Sequence, residues 1–139
     1  MTKRSFGVLV VTAFLAAVGA SAQNMEANIP FNFRVGESLL PAGAYTVSHL
    51  GPSGTVMVKS VDQKSAAIVI TNATESNRTP TIGKLVFRRY GDAYFLGEIW
   101  RPGYQQGRLL TPARAEREVA RAIQRPGGTE VASVPVTVR

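Results

Sequence analysis

The chain has 139 residues, 45% of them hydrophobic and 18% charged, a composition that buries one core and excludes an intrinsically disordered polymer. It contains no cysteine and one histidine, which excludes a disulfide scaffold, a thiolate metal site, an iron–sulfur cluster, a cysteine nucleophile and any site built from several imidazoles. The formal charge of +7 is unevenly placed: residues 23–100 hold seven basic and six acidic side chains, whereas seven arginines face three glutamates beyond Trp100.

At the start of the chain, Lys3 and Arg4 precede an apolar or small run over residues 6–20, and Ala20-Ser21-Ala22 supplies the small-x-small pattern that signal peptidases accept. The run is shorter than the roughly 20 apolar residues that a membrane span requires, and no basic stop-transfer cluster follows it. Residues 1–22 are therefore expected to be a signal peptide, cleaved near Ala22-Gln23. What remains is a periplasmic or extracellular protein of 117 residues without an integral membrane span. The cleavage point has no cysteine to carry a lipid. The expected mature organisation is a β domain over residues 23–110, a helix over 111–125 and a flexible tail over 126–139.

Within residues 28–35, Ile29, Phe31, Phe33 and Val35 alternate with polar positions, the pattern of a half-buried strand. Pro30 lacks an N–H and suits an edge or a strand start. Turn residues at Gly36-Glu37 and Pro41-Ala42-Gly43 precede a second strand over 44–50. Gly51-Pro52-Ser53-Gly54 then turns the chain into a third, over 55–61. The continuous apolar run 66–71 reads as a strand covered on both faces and so as central. Residues 72–80 read as an exposed loop. They carry two Asn-x-Thr sequons, at Asn72 and Asn77, which are better taken as turn-forming asparagines than as glycosylation sites.

Residues 83–90 and 93–100 flank Gly91-Asp92, the Gly-first pair of a type II′ hairpin. That register sets Arg89 opposite Tyr94, Arg88 opposite Phe95, Phe87 opposite Leu96 and Leu85 opposite Glu98, with each arginine beside an aromatic ring. Thr111-Pro112 gives an N-cap and a first-turn proline for a helix ended by Pro126-Gly127-Gly128. Ala115, Val119, Ala122 and Ile123 form a small apolar stripe, too weak to hold the helix by burial alone, and Arg114, Arg117, Arg121 and Arg125 form a basic one. Residues 129–139 alternate weakly through valines and read as disordered rather than as an added edge strand.

Four blocks, Ile29-Pro30-Phe31-Asn32-Phe33-Arg34-Val35-Gly36, Leu40-Pro41-Ala42-Gly43-Ala44-Tyr45-Thr46-Val47, Gly83-Lys84-Leu85-Val86-Phe87-Arg88-Arg89-Tyr90-Gly91-Asp92 and Arg114-Ala115-Glu116-Arg117-Glu118, together resemble a group of short exported proteins common in acidobacterial genomes. The resemblance covers most of the mature chain. It implies a bacterial, exported, mostly β protein and brings no activity, cofactor or functional residue with it.

Chemistry-bearing residues are few. His49 has no motif partner, and a strand-end structural role is the plainer reading. Asp92 and Glu98 lie about 20 Å apart along a strand, against the roughly 5 to 10 Å that paired glycosidase carboxylates need. No phosphate-cradling glycine loop and no metal-ligand spacing is present. No catalytic, cofactor-binding or metal-binding residue is therefore assigned. The candidate anion-binding residues are Arg114, Arg117, Arg121 and Arg125, and the candidate exposed aromatics are Trp100 and Tyr104.

The expected fold is a small antiparallel β-sandwich or partly open barrel of six or seven strands with one C-terminal helix. The expected function is a non-catalytic binding or structural module of the cell envelope. Its partner would be an anionic envelope polymer or another exported protein, and nucleotides are not expected to bind. One alternative is a small hydrolase using Glu98 or Asp92 with His49. Another is an assembly subunit in which residues 28–35 or the valine-rich tail add to a neighbour's sheet.

Overall fold

The computed structural model describes residues 24–123 and 130–138, so the expected leader, Arg125 and the glycines after it lie outside the described residues. Two sheets face each other across one apolar core, a β-sandwich rather than a closed barrel.

The first sheet has the order β12-β1-β4-β5-β6, formed by β1 (Met25–Ile29), β4 (Gly43–Leu50), β5 (Thr55–Ser60), β6 (Ala66–Ile70) and β12 (Thr137–Val138). The second has the order β11-β8-β9-β10-β7, formed by β7 (Asn72–Glu75), β8 (Lys84–Tyr90), β9 (Ala93–Trp100), β10 (Gln106–Leu109) and β11 (Glu130–Pro135). β2 (Phe33–Val35) pairs with β3 (Ser38–Leu40), and Arg34 meets Phe95 in the one parallel pairing among the described residues, on a stretch of β9 that β10 does not reach. The helix α1 (Arg114–Ile123) lies beside β8.

The alternation read over residues 28–35 is present as burial, since Ile29, Phe33 and Val35 are all buried. Their hydrogen bonding is divided, however: β1 pairs with β4, and the chain then leaves for the other sheet as β2. Pro30 stands at the break, where its missing donor costs no ladder bond. Phe31 fills the corner by stacking on Tyr94 at 3.8 Å between ring centroids and meeting Phe87 edge-on at 5.0 Å. Phe33 and Tyr45 extend this aromatic cluster across the interior.

Four expectations are corrected. The apolar run at residues 66–70 is not central: β6 ends the first sheet, and Ile68 and Ile70 are 65% and 74% exposed. Asn72–Glu75, expected within a loop, is a strand on β10. Residues 130–138 of the expected flexible tail form strands instead, because β11 runs antiparallel along β8 and β12 returns to β1, so these strands tie one sheet to the other. Twelve strands occur among the described residues where six or seven were expected, since pieces of two to four residues carry too little pattern to be read.

The hairpin forms at Gly91-Asp92 with Gly91 at φ 61, and Arg89, Arg88 and Phe87 face Tyr94, Phe95 and Leu96 as expected. Beyond them the register slips at a bulge between Val86 and Phe87, so that Leu85 faces Ile99 and Val86 faces Glu98. Gly97 is the unpaired residue. A Cβ there would lie 2.7 Å from an Arg88 nitrogen, so the bulge glycine makes the bed on which the Arg88 guanidinium rests.

Candidate functional site

The arginine-bearing helix is held by a charge rather than by its apolar stripe. Glu116 is 1% exposed and receives Arg88 Nε at 2.5 Å and Nη2 at 3.0 Å, a two-pronged pair that Tyr90 joins through its hydroxyl at 3.3 Å. Arg88 Nη2 also donates to the Leu110 carbonyl at 2.9 Å, tying the segment before the helix to the same group. Glu37, in the turn between β2 and β3, accepts from the Ala115 N–H at 3.4 Å and lends a carboxylate to the helix start. Thr111, expected as the cap, instead accepts from Asn72 Nδ2 at 3.2 Å, and the helix begins at Arg114.

With Glu116 turned inward, Arg114, Arg117 and Arg121 are exposed. Arg114 meets Glu118 at 3.0 Å, an exposed pair of little energetic weight. Arg117 and Arg121 stand one turn apart on the outer side; Arg125 lies outside the described residues.

The two expected exposed aromatics divide. Tyr104 is 52% exposed, with the Arg101 guanidinium 5.7 Å from its ring centroid. Trp100, expected to be partly exposed, is buried: its indole lies over Gly107, where a Cβ would come within 2.5 Å of the ring, and its Nε1 donates to Glu98 Oε2 at 2.9 Å. A glycine on β10, across the sheet, supplies the space that the sequence around Trp100 does not reveal. Arg89 lies over Tyr94 at 5.4 Å as expected, whereas Arg88 is taken by Glu116.

A second basic locus escapes any linear reading. His49 near the end of β4, Arg101 just after β9 and Arg108 on β10 come together at the end of the sandwich, lining a cleft of about 200 Å³ with Tyr104, Gln106 and Ile99. Burial, and then the charges of Arg101 and Arg108, hold the imidazole below its ordinary range, so it is neutral at neutral pH. Its Nδ1 is buried and has no hydrogen-bond partner among the described residues. Neither Asp92 nor Glu98 lines this cleft: Asp92 borders a separate hollow with Arg34 and Tyr94, and Glu98 is engaged by Trp100. The structure thus separates the residues of the hydrolase alternative. Among the described residues, no three His, Asp or Glu side chains stand close enough to hold a metal, and no helix is long and apolar enough to cross a membrane.

A scan of protein-family models and searches of curated proteins and of solved structures find no match to this chain.

One of these arrangements had a trace in the sequence. Glu116 shares a helix face with Val119 and Ile123 at i, i+3 and i+7, so a carboxylate in the apolar stripe foretold a buried cation opposite. The cleft left none, because His49 and Arg101 lie far apart in the chain and their strands are in different sheets.

Proposed function

We propose that this chain is an exported, non-catalytic module of the bacterial cell envelope that binds anionic envelope polymer through the outer face of its helix. The reading rests on the leader-like pattern of residues 3–22 and, above all, on the inward pairing of Glu116 with Arg88. That pairing fixes the roll of the helix, so Arg117 and Arg121 are presented to solvent as an orientated pair of charges rather than as a freely turning tail.

An arginine held near an anionic surface contributes about 1 kcal/mol, fading within a Debye length of about 10 Å at 0.1 M salt. Reversing both charges, Arg117→Glu with Arg121→Glu, is expected to abolish low-salt retention on immobilised acidic polysaccharide. It should leave the unfolding midpoint unchanged, since both side chains are exposed. Retention equal to that of the parent protein would refute the reading.

A further inference from the structure

One edge of the first sheet is β6, and it lacks the devices that keep sheet edges apart. Residues 65–74 contain no charged side chain and no proline, and β6 runs along β5 without a bulge. The other edges among the described residues are protected: β11 ends on Pro135, β7 ends on Glu75, and β3 and β12 are three and two residues long. We infer that β6 is a dimerisation edge, along which two copies of this chain pair antiparallel about a two-fold axis at Ile68.

The hydrogen-bond ladder sets the register. Ser60 N–H donates to the Ser65 carbonyl at 2.8 Å and Thr71 N–H to the Gly54 carbonyl at 2.9 Å, one at each end of the β5–β6 pairing. By alternation, Ser65, Ala67, Val69 and Thr71 turn their backbone groups towards β5, and Ala66, Ile68 and Ile70 turn theirs outward. No other described strand bonds to that side, and the three outward residues are also the exposed ones. A two-fold axis at Ile68 sets Ile68 opposite Ile68 and Ala66 opposite Ile70, so every outward N–H and C=O of one copy meets its counterpart in the other. The same pairs gather the exposed isoleucines of both copies on one face of a continuous sheet. Charge selects this arrangement too. Copies with a formal charge of +7 repel, but along β6 they meet at an uncharged strand, and antiparallel order takes Lys64 towards the Asn72–Glu75 end of the second copy rather than towards another Lys64. Each pairing consumes both edges, so assembly closes at two.

A five-residue edge buries less than the roughly 1,200 Å² of a stable interface, so the dimer is reversible. Sedimentation velocity between about 10 and 500 µM is expected to show the mass rising from one chain towards two and no further. Ile68→Lys sets like charges opposite each other on the axis. It should weaken association at least about tenfold while keeping the circular dichroism of the parent protein. Ile70→Lys gives the same direction should Ile68→Lys fail to fold. Because the chain has no cysteine, Ile68→Cys brings one thiol from each copy to facing positions, about 5.5 Å apart between Cα atoms and within disulfide reach. Mild oxidation should link that variant into a covalent dimer and leave Val131→Cys, exposed on β11, unlinked. The inference is overturned if the protein stays monomeric throughout, if association runs on past two copies, if a folded lysine variant associates like the parent, or if Val131→Cys links as readily as Ile68→Cys.

Discussion

Glu116 is the residue on which the helix depends. A carboxylate at 1% exposure is tolerable because Arg88 meets it with two donors and Tyr90 with a third. Removing one partner strands the other without compensation, so Arg88→Met is expected to cost about 3 kcal/mol and to loosen the helix. Replacing both, Arg88→Met with Glu116→Leu, should recover most of that loss, because two apolar side chains of similar volume need no desolvated charge. Urea unfolding of the two single variants and the double variant measures this; equal losses in all three would show that the pair contributes no coupling. Gly97 belongs to the same device, since it leaves room for the guanidinium to cross the strand. Glu116 was open to discovery in the sequence by its helical spacing from Val119 and Ile123. Gly97 was not, because which residue a bulge leaves unpaired depends on a partner strand.

The element that most changes the picture is the terminal pair of strands. β11 covers β8 over the register Glu130 to Arg89 through Pro135 to Lys84, and Val134 and Val136 are buried against the core that Leu85 and Phe87 enter. A chain ending after residue 129 is expected to lose the single cooperative transition, exposing one edge of β8 and removing the strand that flanks β1. Thermal unfolding followed by circular dichroism decides it; a transition as sharp and as high as that of the full chain would show that the two strands are ornamental. Weak alternation concealed them, since a two-residue strand has no periodicity and β11 buries one residue fully. The converse error occurred at β6, where an unbroken apolar run suggested a covered strand. Sequence hydrophobicity states what a residue prefers, and sheet order decided that Ile68 and Ile70 face solvent at an edge.

For the whole molecule, stability should carry the imprint of the cleft. His49 has a pKa below the ordinary 6.5, from burial first and then from Arg101 and Arg108. Above 6.5 both the folded and unfolded chains hold it neutral. As pH falls from there to its lowered folded value, the unfolded chain takes up a proton that the native one refuses, so stability declines through that window and levels off below it. Asp62 acts lower on the scale: hydrogen bonds from Ser60 Oγ and the Lys64 N–H hold its carboxyl below the ordinary carboxylate range, so its stabilisation persists in mild acid and is lost as pH falls through the lowered value. Unfolding free energies between pH 7.5 and 5 are expected to fall in the parent protein and to fall less in His49→Gln. Parallel curves would show that the histidine plays no part.

The sequence by itself determined the local geometry: an alternating, mainly β chain, the Gly91-Asp92 hairpin with its first three cross-strand pairs, and a short basic helix that includes Arg114–Ile123. These follow from backbone conformations and spacings set by adjacent residues. Only the tertiary structure decided that Trp100 is buried, that a glutamate anchors the helix and that His49 faces two arginines, because each depends on strands brought together from distant parts of the chain, where burial and charge are settled by neighbours in space.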